Sequence, residues 1–279
     1  MKRPATKQKP LAKFSGTLVL VGAGKMGSAM LDGWLARGLN PKKLIVIEPQ
    51  PGKAVQALKR RGLALNPRGK AGAAAAIVIA VKPQTAPDAL PPLMPYVGKG
   101  TLVLSIMAGR TMGFLEKSLP GAAIVRAMPN TPAAIGRGIS VAVANPKVSA
   151  RQRKLASDLL AAISKIEWVA DEALMDAVTA LSGSGPAYVF LLAEAMTKAG
   201  IAVGLPAELA TRLARETIAG SGELLHRSPL DTAVLRQNVT SPGGTTAAAL
   251  DVLMGPGGFD QLLTKAIAAA TRRSRELAG

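Results

Sequence analysis

Cysteine is absent from all 279 residues, which excludes disulfide scaffolds, thiolate nucleophiles and cysteine-ligated zinc together. The same absence fits a reducing compartment. Histidine occurs once, as His226, so a histidine-rich metal site or a Ser-His-Asp triad would rest on that single side chain. At the end of the helical run Leu224–Arg227, His226 reads as a cation complementing a helix C-terminus. Aromatics are few, with two Trp, two Tyr and four Phe. Trp34 and Trp168 read as core or interface residues, and little remains to stack nucleic-acid bases. Acidic residues are scarce too: 17 against 35 Lys and Arg leave a net charge of +18. That balance attracts polyanions and phosphorylated ligands. No nucleic-acid motif accompanies it, so no specific nucleic acid is expected, only salt-sensitive binding through the basic tail. Long apolar runs are also missing. The longest, Ala71 to Val81, falls far short of the roughly 20 residues that span a bilayer, so no membrane partner is expected. The basic N-terminus has no following apolar stretch or cleavage site and does not read as a secretory signal. A soluble cytoplasmic protein is expected.

What is present is a chain with 48% hydrophobic residues, enough for a buried core. Its length suits one large domain or two modest ones, at about 100–200 residues each. The first half alternates strand and helix signals. Residues 17–21, 44–47, 76–81 and 101–105 are short continuous apolar runs, with helical stretches at 25–37 and toward Arg61. Strands apolar on both faces belong to parallel sheets covered on each side, and the repeat of about 25–30 residues fits βαβ units. Further strands are predicted at 123–126, 139–143 and 166–169. After Asp171 the texture becomes helical, with Leu174, Val178 and Leu181 on one face. Helices are predicted over 188–199, from Pro206, and over 259–277, with Glu208, Arg212 and Glu216 on a solvated face. The expected fold class is α/β: a parallel sheet domain over 14–171 followed by an all-helical domain over 172–279. Residues 1–13, with Lys2, Arg3, Lys7, Lys9 and Lys13, are expected to be a disordered basic tail.

Gly22-Ala23-Gly24-Lys25-Met26-Gly27 is a G-x-G-x-x-G directly after the first strand and opening the first helix. Its glycines suit a tight turn, close approach of a pyrophosphate, and close helix–strand packing. The helix N-terminus adds free N–H groups and a positive dipole end. Glu48 ends the second strand. An acid there accepts hydrogen bonds from adenosine ribose hydroxyls and repels a 2′-phosphate, favouring NAD over NADP. The alternative is that Glu48 faces solvent while Lys53 or a neighbouring amide receives the phosphate. Val81-Lys82-Pro83 and Met107-Ala108-Gly109 follow two further strands, where open α/β sheets bind ligands. Lys82 reads as a loop or surface lysine more readily than as an acid–base group.

Two segments of the second half are distinctive. Ala180–Tyr188 (ALSGSGPAY) interrupts two helices with small residues, as a hinge or a ligand contact. Asn238–Leu250 (NVTSPGGTTAAAL) runs from a hydroxyl-rich loop into a helix. The N–H groups of Gly244, Thr245 and Thr246 there could seat a carboxylate or simply form an ordinary capped start. With Gly22–Gly27, Ala80-Val-Lys-Pro83 and Arg126-Ala-Met-Pro-Asn-Thr-Pro132, these segments make the chain resemble the pyrroline-5-carboxylate reductases. The matching pieces span nearly the whole chain after the tail, in order, and Val239–Thr246 is the most specific.

The resemblance implies an N-terminal Rossmann-type domain and a C-terminal helical dimerisation domain that interleaves with its partner. It also implies a homodimer, or a ring of dimers such as a decamer. Active sites in this family form between the cofactor domain of one subunit and helices at the dimer interface. The implied reaction is NADPH- or NADH-dependent reduction of the imine of (S)-1-pyrroline-5-carboxylate to L-proline. Val21, Gly22, Ala23, Gly24, Lys25, Met26, Glu48, Ala80, Val81, Lys82, Pro83, Ile106, Met107, Ala108 and Asn238 would touch the cofactor. Glu172, Gly244, Thr245 and Thr246 would surround the substrate, with Thr246 as the catalytic residue. Two departures stand out. Family members that favour NADPH often carry Ser, Arg or Asn where this chain has Glu48-Pro49-Gln50, and Met107 replaces a smaller residue. A protonated cyclic imine is already electrophilic, so neither a metal nor a covalent intermediate is required, and orientation is the main lever. A β-hydroxyacid dehydrogenase with Lys198 as its lysine would share the glycine loop but leaves Ser241–Thr246 unexplained.

Overall fold

A computed structural model describes residues 10–68 and 72–278 of the chain. The strands and helices fall in two compact units, one running through Gly183 and resuming at Thr271, the other Ser184–Ala270. The chain thus changes unit later than the expected boundary at Asp171, because residues 172–183 pack with the sheet.

The first unit is an eight-stranded sheet, among the described residues, in the order β3-β2-β1-β4-β5-β6-β7-β8. Its strands are β1 (Leu18–Val21), β2 (Leu44–Ile47), β3 (Ala64–Leu65), β4 (Ala76–Ile79), β5 (Leu102–Ser105), β6 (Ala123–Pro129), β7 (Gly138–Ala144) and β8 (Ser164–Trp168). Helices α1 (Lys25–Ala36), α2 (Lys53–Ala57), α3 (Ala86–Ala89), α4 (Met112–Ser118), α5 (Ala150–Leu160) and α6 (Met175–Val178) connect or follow them. The continuous apolar runs have the meaning expected of them. Leu18, Leu20, Ala76, Val78, Leu102 and Leu104 pack into one core cluster, while Val19, Val21, Ile77, Ile79 and Val103 pack into the other. Alternate residues of each central strand thus enter opposite layers. On α1, Gly27, Met30, Leu31 and Trp34 form one buried face, and Trp34 Nε1 donates to the Leu159 carbonyl at 2.9 Å. Trp168 donates to Ser157 Oγ at 3.1 Å and carries the Arg153 guanidinium 4.0 Å from its ring centroid.

Two features of the sheet lie outside the sequence expectation. Strand β3 pairs parallel with β2 through only two residues, too few to show a period in sequence. Strand β7 is antiparallel to β6. Residues 130–137 are too short for a crossover, which needs a dozen or more residues; β8 returns parallel to β7 after α5. The expected tail also ends early. Residues 1–9 lie outside the described residues, whereas Leu11 is buried in the core and its N–H donates to the Arg37 carbonyl.

After α6 the helix widens into a π turn over Thr179–Gly183. Thr179 and Ser182 hydroxyls bond back to the Met175 and Val178 carbonyls, and a Cβ on Gly183 would meet Met128 Cε at 2.4 Å. The small residues of this segment therefore allow close packing. The second unit is helical, with α7 (Gly185–Ala202), α8 (Ala207–Arg227), α9 (Thr232–Asn238), α10 (Thr245–Met254) and α11 (Phe259–Ala278), whose last turns belong to the first unit. Pro206 caps α8 from just outside it, and His226 lies in its last turn as expected.

Candidate active site

The first-unit candidates gather at the carboxyl ends of four neighbouring parallel strands. Glu48 follows β2, the glycine loop follows β1, Ala80–Pro83 follow β4 and Ile106–Ala108 follow β5. The chain leaves β1 for β2 on one side and later enters β4 on the other, so the glycine loop sits at the topological switch point. Main-chain bonds tie the loops to the strand ends: Gly22 N–H donates to the Ile47 carbonyl at 2.9 Å, Ala80 N–H to Val21 at 2.7 Å and Ile106 N–H to Ile79 at 3.0 Å.

The loop fits a dinucleotide pyrophosphate. Gly22 has φ +89 and turns so tightly that a Cβ would lie 2.7 Å from the Ala80 carbonyl oxygen. At Gly27 a Cβ would lie 2.2 Å from the Gly22 carbonyl oxygen, the close helix–strand contact that the third glycine permits. Outside Gly24 nothing stands within 4 Å of such an atom, which leaves the backbone open to a ligand. Gly24 caps α1 with no side chain occupying the helix start, and the first turn holds no acid. The N–H groups of Lys25, Met26 and Gly27 therefore lack intrahelical acceptors and face the open side with the positive end of the helix.

Other placements refine the candidate set. Val21 and Met107 are buried with the core, so they offer backbone rather than side chain to the site. Lys82 is exposed and begins a 3-10 turn with Pro83. Arg110, which no motif singled out, binds the two loops together. Its Nε and Nη2 donate to the Pro83 carbonyl at 3.0 and 2.8 Å, and its guanidinium lies 4.5 Å from the Phe114 ring centroid. Glu172 Oε1 accepts from Arg126 Nη1 at 2.5 Å and from the Met112 N–H at the start of α4 at 2.7 Å. Arg126 is 4% exposed, so Glu172 neutralises a buried cation of β6 while capping a helix.

In the second unit, Asn238 ends α9 and Gly244 is the N-cap of α10. Gly243 adopts φ +68 in the turn between them. The Gly244 N–H, expected to face a ligand, donates instead to the Ser241 carbonyl at 3.0 Å. The amides without intrahelical acceptors are therefore those of Thr245, Thr246 and Ala247. Thr246 is half-buried and Thr245 exposed. Lys198 is exposed on α7.

Comparison with known proteins decides what this arrangement belongs to. A family model described as pyrroline-5-carboxylate reductase dimerisation matches residues 172–277, and one described as NADP oxidoreductase, coenzyme F420-dependent, matches 17–109. The pyrroline-5-carboxylate reductase of Pseudomonas aeruginosa is 39% identical over 265 residues, covering 94% of this chain and 96% of its own. The chain belongs to the pyrroline-5-carboxylate reductase family. A solved structure of a family member from Coxiella burnetii superposes with a TM-score of 0.87 at 34% identity, covering 95% of this chain and 100% of its own. A Plasmodium falciparum pyrroline carboxylate reductase, solved with NADP bound, gives 0.78 at 31% identity, covering 95% and 99%. Membership makes the chain an oxidoreductase with a cofactor-binding sheet domain and a helical dimerisation domain.

Proposed function

We propose that the chain reduces the imine of (S)-1-pyrroline-5-carboxylate to L-proline at the expense of a nicotinamide dinucleotide. The observation carrying this reading is the open, helix-capped glycine loop at the switch point, in a chain that belongs to this family along nearly its full length. The bound nicotinamide supplies a hydride to the imine carbon. The protein's own part is binding and orientation.

Gly24 and the first amides of α1 hold the pyrophosphate, and the Ala80–Pro83 and Ile106–Ala108 backbones line the approach to the nicotinamide. The Thr245 and Thr246 amides at the start of α10 seat the substrate carboxylate, as a helix N-terminus favours an anion. The Thr246 hydroxyl sits by the ring nitrogen and orients it by a hydrogen bond; a threonine hydroxyl is a poor general acid. Asn238 contacts the cofactor, and Glu172 borders the substrate while holding Arg126. The excess of cations draws both anionic ligands toward the chain.

The unit formed by Ser184–Ala270 supports the homodimer. Its only buried residues, among those described, are Ala210 and Ala214, while Phe190 is 62% and Val203 82% exposed. Apolar exposure on this scale, in a unit with almost no core of its own, marks a protein interface. A further assembly of dimers, such as a decamer, is the next level of the same proposal, and the absence of cysteine fits a cytoplasmic enzyme.

The test is absorbance decay at the nicotinamide band with pyrroline-5-carboxylate, run with NADH and NADPH in parallel. Turnover with either supports the reading. A folded protein that binds dinucleotide but turns over neither pair refutes the substrate assignment.

A further inference from the structure

One carboxylate is held firmly beside the glycine loop. Glu48 Oε2 accepts the Ala23 N–H at 2.7 Å, and its Oε1 accepts the Gln50 N–H at 2.9 Å. Its backbone is fixed from the opposite side by Asn66. Glu48 N–H donates to Asn66 Oδ1 at 2.9 Å, and Asn66 Nδ2 donates to the Glu48 carbonyl at 2.8 Å. Asn66 does this at φ 46, the one non-glycine residue in left-handed backbone among those described, a conformation that asparagine tolerates better than most. Four hydrogen bonds and one unusual backbone conformation thus fix the acid at the end of β2.

That acid meets a particular part of the ligand. A dinucleotide whose pyrophosphate lies on the glycine loop brings its adenosine ribose to the end of the second strand. A carboxylate is an acceptor only. It suits ribose hydroxyls, which donate, and opposes a 2′-phosphate, which brings more negative charge into the same place. The framing segment Pro49-Gln50-Pro51-Gly52 contains no cation and no hydroxyl. Gln50 has its N–H committed to Glu48. The next cation, Lys53, is an exposed residue at the start of α2.

We infer that Glu48 is the specificity-determining residue for the cofactor and that this chain selects NADH over NADPH. The Plasmodium falciparum relative, by contrast, was solved with NADP. The dinucleotide part rests on the glycine loop, and the physiological use of NADH rests on the reductase reading above.

Calorimetric titration of the full chain with NAD⁺ and NADP⁺, without substrate, tests it directly. NAD⁺ should bind at least about tenfold more tightly, roughly 1.4 kcal/mol. Because the second pKa of the phosphate is about 6, the gap should narrow between about pH 8 and pH 5.5, as the 2′-phosphate gains a proton. Glu48→Gln should close most of the gap by strengthening NADP⁺, while Lys53→Ala should leave the ratio where it was. Glutamine offers only one carbonyl to the two amides, so the thermal midpoint of the variant is recorded alongside. Equal or tighter NADP⁺ binding overturns the inference, as does an unchanged ratio in a folded Glu48→Gln protein. If that variant does not fold, the wild-type ratio and its pH dependence decide, and a gap that does not move with pH overturns it. NADP⁺ preference with turnover of pyrroline-5-carboxylate removes this inference alone, whereas failure to bind either dinucleotide removes the reductase reading with it.

Discussion

At Gly22, Gly24 and Gly27 the same amino acid serves three separable purposes, and substitution should separate them. Alanine at Gly27 would drive its Cβ to 2.2 Å from the Gly22 carbonyl oxygen, so α1 must move from the sheet. We expect a loss of about 1–3 kcal/mol in urea unfolding. Alanine at Gly24 meets nothing within 4 Å and sits at an ordinary φ of −67. Its stability should be unchanged or slightly raised, while calorimetry should show dinucleotide affinity falling at least about tenfold, since the new methyl takes the space where phosphate meets backbone. Thr246→Val should lower kcat about tenfold, the scale of one hydrogen bond lost in the transition state, with little change in dinucleotide Kd. Equal turnover in mutant and wild type would remove Thr246 from the mechanism. The glycines and the threonine are legible in sequence because their meaning is local, a turn or the first turn of a helix. Arg110, Asn66 and the Arg126 partner of Glu172 are not. Their roles come from groups 18 to 46 positions away, and no spacing rule links them.

Among the elements, the segment joining β6 to the helical region carries the largest electrostatic stake. Arg126 is buried on β6 and Glu172 meets it from the turn preceding α6. Removing Glu172 leaves the buried Arg126 cation uncompensated, at a cost of about 3–5 kcal/mol. Glu172→Gln should therefore lower the urea midpoint sharply, and adding Arg126→Met should restore part of the loss. Additive losses in the double mutant would show that the two side chains are not coupled. The same elements show where sequence patterning reaches its end. Strands β1, β2, β4 and β5 are legible because each is a continuous apolar run buried on both faces. The direction of β7 is not contained in its own residues. It follows from the shortness of residues 130–137, so loop length decides what strand composition cannot. The π turn at Thr179–Gly183 shows in sequence only as a cluster of small residues, and packing against Met128 gives that cluster its meaning.

For the whole molecule, the contrast lies between a sheet unit with two core layers and a helical unit with almost none of its own. Leu213, Leu224, Val252 and Leu262 are all exposed in the single chain, and covering a side chain of this size is worth about 1.5–3 kcal/mol. Sedimentation velocity should therefore find dimers or larger species at micromolar concentration, and the melting temperature should rise with protein concentration. Phe190→Asp should shift the distribution toward monomer without altering the sheet unit's near-ultraviolet signal. A monomeric wild type would refute the interface. The return of the last turns of α11 to the sheet unit has a different consequence. Ser274 is buried there, its Oγ donating to Asp176 Oδ1 at 2.6 Å, and the Leu277 carbonyl lies by Gly109. A ribosome that has finished the eight strands has therefore not finished the unit containing them. The nascent sheet must wait through nearly ninety more residues of helix before its closing piece emerges, so a fragment ending at Gly183 would leave the tunnel with an open seam that the whole protein keeps shut.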